Sequence, residues 1–316
     1  MKVLCIGEAL IDMICTDRGS SLSNGQNFLK KAGGAPANVA AAIAALGAAV
    51  DMAAKVGHDP FGQHLIDLLK EMGVGTDWVL QDPNHFTTFA FVSLMEDGER
   101  DFYFNRGADG QLSSQDLQSL PLSDYSIVHF GSATGFLPGP LQTAYTDLLQ
   151  KAKAQNAIIS FDPNYRHLLF QNNIQSFINQ CWPFIEQCHF FKLSDEEAML
   201  ITGCDSVQHA AAALRKKTAA IFAITLGKEG TLLSIGNHLE MIGSIAITPL
   251  DATGAGDAFV GAVLFQLRDQ SALTLSDISW ENWKQIIYNA NKAGARTCEY
   301  MGAMEAFKHL NNSIFN

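Results

Sequence analysis

The chain has 316 residues, 47% hydrophobic and 17% charged, which is enough for a large core in one large domain or two ordinary ones. A formal net charge of −11 argues against nucleic acid as the main partner, because binding a phosphate backbone wants a basic face. It leaves room for a small anionic ligand held by local dipoles.

Val3-Leu4-Cys5-Ile6 reads as a short buried strand that opens into Gly7-Glu8-Ala9-Leu10-Ile11-Asp12. Asp12 reads either as a turn or edge residue or as a carboxylate that binds sugar hydroxyls. Residues 20–31 are polar and loop-like. Gly33-Gly34-Ala35-Pro36-Ala37-Asn38 then runs into an alanine-rich helix that stops at Gly47. Such small residues mean close backbone approach, by a packed element or by a ligand. Asn38, in the first turn, can present an amide there. A strand over 51–56 follows, then Gly57-His58-Asp59-Pro60-Phe61-Gly62. Leu65, Ile66, Leu68, Leu69 and Met72 have helical spacing up to Gly73. His58 and His64 have no metal-site company.

Residues 87–95 and 101–105 read as the arms of a hairpin around a turn at Glu96-Asp97-Gly98-Glu99. No helix accompanies them, which suggests a small sheet added to the main body. Arg106 closes this hairpin, either solvated at a sheet edge or placed over a substrate. A regular rhythm follows: a strand at 126–131, a helix at 141–152 and a strand at 157–161. That last strand ends in Asp162-Pro163-Asn164-Tyr165-Arg166. Polar residues just past the C-terminal end of a strand are where open α/β sheets bind ligands. Helical segments at 174–186, 195–202 and 207–216 surround a short strand at 189–193. Strands at 219–225 and 231–235 flank Gly227-Lys228-Glu229-Gly230, which by itself is an ordinary hairpin turn. A last helix covers 283–299. Strands alternating with helices predict a mostly parallel sheet covered on both faces.

The six cysteines, at 5, 15, 181, 188, 204 and 298, make no CxxC and no zinc-ligand spacing. They fit the reduced thiols of a cytosolic protein. The apolar start is too short for a signal peptide, and the alanine-rich stretch over 37–50 has too few large apolar residues to span a bilayer. A cytoplasmic protein with no membrane partner is expected.

The chemistry is expected at Pro249-Leu250-Asp251-Ala252-Thr253-Gly254-Ala255-Gly256-Asp257-Ala258-Phe259. Ile245 to Thr248 before it suggests a strand. Phe259, Val260, Val263, Leu264 and Leu267 after it fall on one side of a helix. The glycines thus sit at a helix start, where unpaired N–H groups and the helix dipole bind anions. Asp257 is either a carboxylate that merely favours the dipole or, beside a phosphate, a group that takes a proton from an attacking hydroxyl. Phe259 occupies the third glycine position of a dinucleotide fingerprint, and no Lys-Ser/Thr pair follows as in a Walker A loop.

With these residues in view, the chain resembles the PfkB (ribokinase-like) family of carbohydrate kinases over essentially its full length. The stretches 33–38 through 57–62 resemble its N-terminal signature, and 251–259 its C-terminal one. Asp162 to Arg166, Arg106 before Gly107-Ala108-Asp109, and Lys192-Leu193-Ser194-Asp195-Glu196-Glu197 are similar to the bacterial fructokinases within it. The resemblance implies a three-layer α/β/α sandwich with a mostly parallel central sheet and a small β-sheet lid. It divides the chain into a core (1–10, 37–84 and 107–316) and a lid (11–36 and 85–106).

By the same resemblance Asp257 would be the catalytic base, with Gly254, Ala255 and Gly256 forming an anion hole. Asp12, Gly33, Gly34, Asn38, Arg106, Asp162, Asn164 and Arg166 would hold the sugar. Lys192, Ser194, Thr225, Gly227, Gly230 and Asn291 would contact ATP. Glu197 would organise Mg²⁺ through water, and Asp251 and Thr253 would surround K⁺. Ser194 stands where many members have Asn. The implied reaction is transfer of the ATP γ-phosphoryl group to a primary hydroxyl, D-fructose giving fructose 6-phosphate. Ribose, adenosine, aminoimidazole riboside and 2-keto-3-deoxygluconate are rival acceptors, and a sugar sensor without catalysis is a further reading. The exposed edge of a lid sheet also makes a homodimer plausible.

Overall fold

Short runs that are apolar on both faces, such as Ile158-Ile159-Ser160-Phe161, suit strands covered on both sides. In the computed structural model, which describes residues 1–95, 100–170 and 172–315, such runs build the centre of a nine-stranded sheet. In chain order the first part comprises β1 (Lys2–Ile6), β2 (Leu10–Cys15), β3 (Phe28–Gly33), α1 (Ala35–Ala45), β4 (Val50–Gly57), α2 (Pro60–Glu71), β5 (Val79–Asp82), β6 (Phe89–Leu94) and β7 (Arg100–Asn105). Then come β8 (Tyr125–Phe130), α3 (Pro140–Ala154), β9 (Ile158–Phe161), α4 (His167–Phe170), α5 (Ile174–Gln187), β10 (Phe190–Ser194), α6 (Asp195–Thr202) and α7 (Val207–Lys217). The last part holds β11 (Ile221–Thr225), β12 (Thr231–Ile235), β13 (His238–Ile242), α8 (Ala255–Leu267), α9 (Trp280–Thr297) and α10 (Ala303–Phe307).

The large sheet has the order β13-β12-β11-β10-β9-β8-β1-β4-β5. Its strands are parallel except β12, which is antiparallel to both neighbours. Helices cover both faces. One core packs α1, α8 and α9 on the sheet, and the other packs α3, α5, α6 and α7 on the opposite face. The expected three-layer α/β fold is therefore present. A second sheet, β3-β2-β6-β7, is built from two stretches inserted after β1 and after β5. Its middle pair, β2 and β6, is parallel. Among the described residues no helix is long and apolar enough to cross a membrane.

Several local expectations need correction. Phe28 to Lys31, read as loop, belongs to edge strand β3. Its lysines suit an edge, which charge protects from further pairing. Asp12 is neither a turn nor an edge residue but lies in the middle of β2, between β3 and β6. Ile245 to Thr248 is irregular chain, and the strand lies earlier, at β13. Branched residues favour strands only where a neighbouring strand offers pairing. α8 is not one-sided: Asp257 to Phe265 and Leu267 are all buried. A Cβ on Gly261 would lie 2.8 Å from Ala42 Cβ, so the small residues of α1 serve helix packing along much of their length. The expected turn at 96–99 lies outside the described residues.

Candidate active site

The C-terminal ends of β9 and β10 carry a buried ion pair directly under α8. Asp162 follows β9, and Lys192 projects from β10 with Nζ 3.2 Å from Asp162 Oδ2 and 3.9 Å from Glu197 Oε2. Burial alone would lower the Lys192 ammonium, but Asp162 and Glu197 hold it above the ordinary lysine value. Burial pushes the Asp162 carboxyl up to about 7 against that ammonium. A Cβ on Gly256 would lie 3.4 Å from Lys192 Nζ, so the ammonium touches the first turn of α8. Below this pair the fully buried His129 is pushed down to about 3 by burial and by Lys192. It meets Ser160 Oγ through Nδ1 at 3.1 Å. It is a neutral floor residue.

Glu197 is occupied on both oxygens. Oε2 accepts from Ser194 N–H at 2.7 Å, closing a capping box at the start of α6, and Oε1 accepts from Tyr165 N–H at 2.8 Å. Ser194 is the other half of that box, its hydroxyl accepting from Glu197 N–H at 3.1 Å. These two residues therefore cap a helix first.

At the start of α8, Gly254 is left-handed, with φ 82°. A Cβ there would lie 2.5 Å from Ala303 Cβ, so only glycine fits both the turn and the contact. Ala255 N–H bonds Ala252 O at 3.2 Å. Among the described residues the N–H groups of Gly256 and Asp257 have no such partner. Gly254 N–H likewise has none among the described residues, so the free donors of this turn are at 254, 256 and 257 rather than at 255. Asp257 is buried, and its Oδ2 accepts from Asn38 Nδ2 at 2.8 Å. Burial raises its carboxyl above the ordinary range, while Asn38, Arg166 and Lys192 pull it back. Asn38 Oδ1 is buried with no partner, which suits a donor from a bound hydroxyl.

Across from α8 stands the second sheet. Asp12 is pushed up to about 6 by burial, with Arg166 opposing and Glu8 adding. A side chain on Gly33 would strike the Asp12 carboxylate, and one on Gly34, at φ 107°, would strike the Glu8 carbonyl. Arg166 is exposed, donates to Tyr165 O at 3.2 Å, and its charge reaches both Asp12 and Asp257. Asn164, at φ 47°, ties Gly131 O at 2.8 Å through its amide. Arg106 is already engaged. Nη1 donates to Pro138 O at 2.7 Å, Nη2 to Thr134 O at 3.2 Å, and Nε faces Asp109 at 3.5 Å. It clamps the loop after β8 instead of being solvated or turned wholly to a ligand.

Glu8 escaped the sequence reading. Its buried carboxylate accepts from Ala35 N–H at 3.2 Å, Ala133 N–H at 3.3 Å, Thr134 Oγ1 at 3.2 Å and Ser132 Oγ. It joins the exit of β1, the start of α1 and the loop after β8. The one available signal was an acidic residue directly after a buried strand and a glycine.

Among the residues that the resemblance assigns to ATP, Thr225 ends β11, its hydroxyl on Leu193 O at 3.3 Å. Gly227 is left-handed with open space around it, whereas a Cβ on Gly230 would strike Ile242 O. Asn291 has no free amide group. Oδ1 accepts from Thr231 Oγ1 at 2.6 Å, and Nδ2 donates to Ile242 O at 2.9 Å and Gly243 O at 3.1 Å. It braces β12 against the chain leaving β13. Asp251 Oδ1 takes the Thr253 hydroxyl at 2.7 Å, and Oδ2 takes Gly302 N–H at 2.8 Å. Burial would raise this carboxyl, but those bonds, with Lys31 nearby, hold it low. Among the described residues no group of three or more His, Cys, Asp and Glu could hold a metal.

The profile of the pfkB family of carbohydrate kinases matches residues 1–309. A probable fructokinase-4 of Arabidopsis thaliana is 34% identical over 309 residues, 96% of this chain and 93% of that one. The crystal structure of a fructokinase with bound ATP from Xylella fastidiosa has TM-score 0.88 at 30% identity, covering 99% of this chain and 96% of the other. A double mutant of a Vibrio cholerae O395 fructokinase, holding fructose, ADP and a potassium ion, has TM-score 0.84 at 28% identity, covering 99% and 96%. The fold shared with these structures is ribokinase-like, and the two site stretches read from the sequence both fall inside the matched range.

Proposed function

The chain belongs to the pfkB family of carbohydrate kinases and is a phosphotransferase acting on a sugar; on that premise we propose that it transfers the γ-phosphoryl group of ATP to the primary hydroxyl of D-fructose, giving fructose 6-phosphate. The observation that carries the reading is Asp257. It is a buried carboxylate in the first turn of α8, with Asn38 on one oxygen and, among the described residues, the unpaired N–H groups of Gly254, Gly256 and Asp257 at the same turn. Its raised pKa suits a base that must hold a proton only briefly.

In this reading the sugar oxygen attacks the γ-phosphorus. The bond from that phosphorus to the bridging oxygen breaks, the electron pair leaves with ADP, and the hydroxyl proton passes to Asp257. Gly254, Gly256 and Asp257 N–H groups bind the transferring oxygens, with Ala255 joining if its own bond opens. Asp12, Asn38, Asp162, Asn164 and Arg166 hold the sugar, while Gly33 and Gly34 let the second sheet come close. Arg106 supports that sheet through the loop after β8. Lys192, Ser194, Thr225, Gly227 and Gly230 border the nucleotide, and Asn291 shapes that border from behind. The second sheet acts as a lid that excludes water from the transfer.

A divalent cation bound with ATP would supply positive charge to the phosphates. The donor set here fits contact with Mg²⁺ through water, because both Glu197 oxygens are already bonded. Asp251 and Thr253 offer acceptor oxygens suited to a loosely held K⁺, in line with the potassium ion of the Vibrio relative.

The test is a coupled ADP-release assay with MgATP, with and without K⁺. The acceptors are D-fructose, D-ribose, adenosine, aminoimidazole riboside and 2-keto-3-deoxygluconate. Turnover with fructose alone supports the reading, turnover with another acceptor overturns the substrate, and sugar binding without turnover points to a sensor. The edges of β3 and β7, which pair with no further strand among the described residues, suit a homodimer through the lid. Sedimentation as a monomer at micromolar concentration would remove that part.

A further inference from the structure

Lys31 has no part in the steps above. It stands opposite Asp12 in the β2–β3 register, so both side chains leave the second sheet on the same face. Its ammonium nevertheless leans toward the loop before α10, with Nζ 3.7 Å from where a Cβ on Gly302 would lie. Gly302 N–H bonds Asp251 Oδ2 at 2.8 Å. The next residue, Ala303, has its Cα 3.0 Å from the Cβ position of Gly254. Lys31 thus reaches the wall of the α8 start from the second sheet. Its charge is felt at Asp251 and Glu305, yet among the described residues it makes no ion pair.

Lys192 makes the contrast. It touches the same helix start at Gly256, but its charge is matched by Asp162 and Glu197. A cation flanked by two carboxylates leaves little net positive field for a phosphate. Among the described residues Lys31 has no carboxylate within ion-pair distance, Asp251 and Glu305 feeling its charge only from farther off. We propose that Lys31 is a phosphate-binding residue: a cation carried by the second sheet that binds the phosphoryl group at the start of α8 as it moves to the sugar and after it has arrived. An ammonium is a suitable point charge for that role. The inference rests on the sugar-kinase reading, but not on which sugar is used.

The experiment compares wild type with Lys31→Met, Lys31→Arg and Lys30→Met. Lys30 is a neighbour on the same strand that faces the opposite side, toward His64. Calorimetry measures D-fructose and fructose 6-phosphate separately, and steady-state assays give kcat and KM. Lys31→Met is expected to bind fructose within about 2-fold of wild type while binding fructose 6-phosphate about 10- to 100-fold more weakly, with a similar drop in kcat. Lys31→Arg should recover most of both and keeps the comparison open if the methionine variant unfolds. Lys30→Met should match wild type. Unchanged product binding in Lys31→Met overturns the proposal. So does an equal weakening of sugar and product, which would mean that Lys31 only holds the sheet in place, and so does an equal effect at Lys30. If wild type turns over another acceptor of the panel, the substrate reading fails separately, and the variants are compared on that acceptor and its phosphate ester.

Discussion

At the start of α8 the charged groups have partners inside the fold. Asp257 takes the Asn38 amide, and Lys192 lies between Asp162 and Glu197. Across the site, the second sheet and the strand end at Arg166 hold their charges differently. Asp12, Lys31 and Arg166 make no ion pair among the described residues, and Arg166 is exposed. One side is fixed before any ligand arrives, as a preorganised electrostatic site requires. The other carries charges that the described residues do not pair. Charges matched within the fold and charges left unmatched thus lie on opposite sides of the site.

The sharpest way to break this comparison is Asp257→Asn. Turnover should fall by about two to four decades, while sugar affinity measured by calorimetry stays within a few-fold. Near-normal turnover would move the base elsewhere. Next comes Lys192→Met, which leaves Asp162 and Glu197 buried without their cation. A loss of about 3–5 kcal/mol in unfolding free energy, read from urea denaturation, is expected for breaking such a pair. A loss below about 1 kcal/mol would mean that this pair does not hold the ends of β9, β10 and α6 together.

The smallest effect is the pH response of Asp12. Its folded pKa of about 6 lies above the ordinary carboxylate value of about 3.9. The folded chain therefore binds the extra proton in that window, and the Asp12 contribution to stability falls as pH rises from about 4 to 6. Asp12→Asn should reduce the slope of this part of a Tm-against-pH profile, the remainder belonging to the other raised carboxyls, Glu8, Asp162 and Asp257. Sugar KM in wild type should rise as pH falls below about 6, because an ionised carboxylate accepts hydroxyl donors better. An unchanged slope in Asp12→Asn would assign the titration to those groups alone.

The helix start at 254–257 and the glycine pair at 33–34 were readable because their signals are local. A left-handed turn demands glycine, and a free helix end attracts anions. The alternation of strand and helix similarly exposed the large sheet. The interior wiring was not readable. Lys192 meets Asp162 only when β10 lies beside β9, and nothing near either residue announces the pair. Glu8 gathers bonds from α1 and from the loop after β8, both far along the chain. For the same reason Asn291 and Arg106, whose residue types suit ligands, turn out to be bonded to backbone carbonyls that no local pattern could supply. β3 was missed because an edge strand rich in lysine looks like a loop until its partner is known.

The parallel seam between β2 and β6 has a consequence for how the molecule comes together. Ile11 to Ile14 pair with Phe89 to Val92, across the whole of α1, β4, α2 and β5. Each hairpin, β2 with β3 and β6 with β7, closes over a short stretch. The seam between them must wait until β1, β4 and β5 have aligned, since loop closure over that distance is slow. The second sheet is thus assembled late from two halves made early. Amide exchange should find the seam opening before either hairpin does.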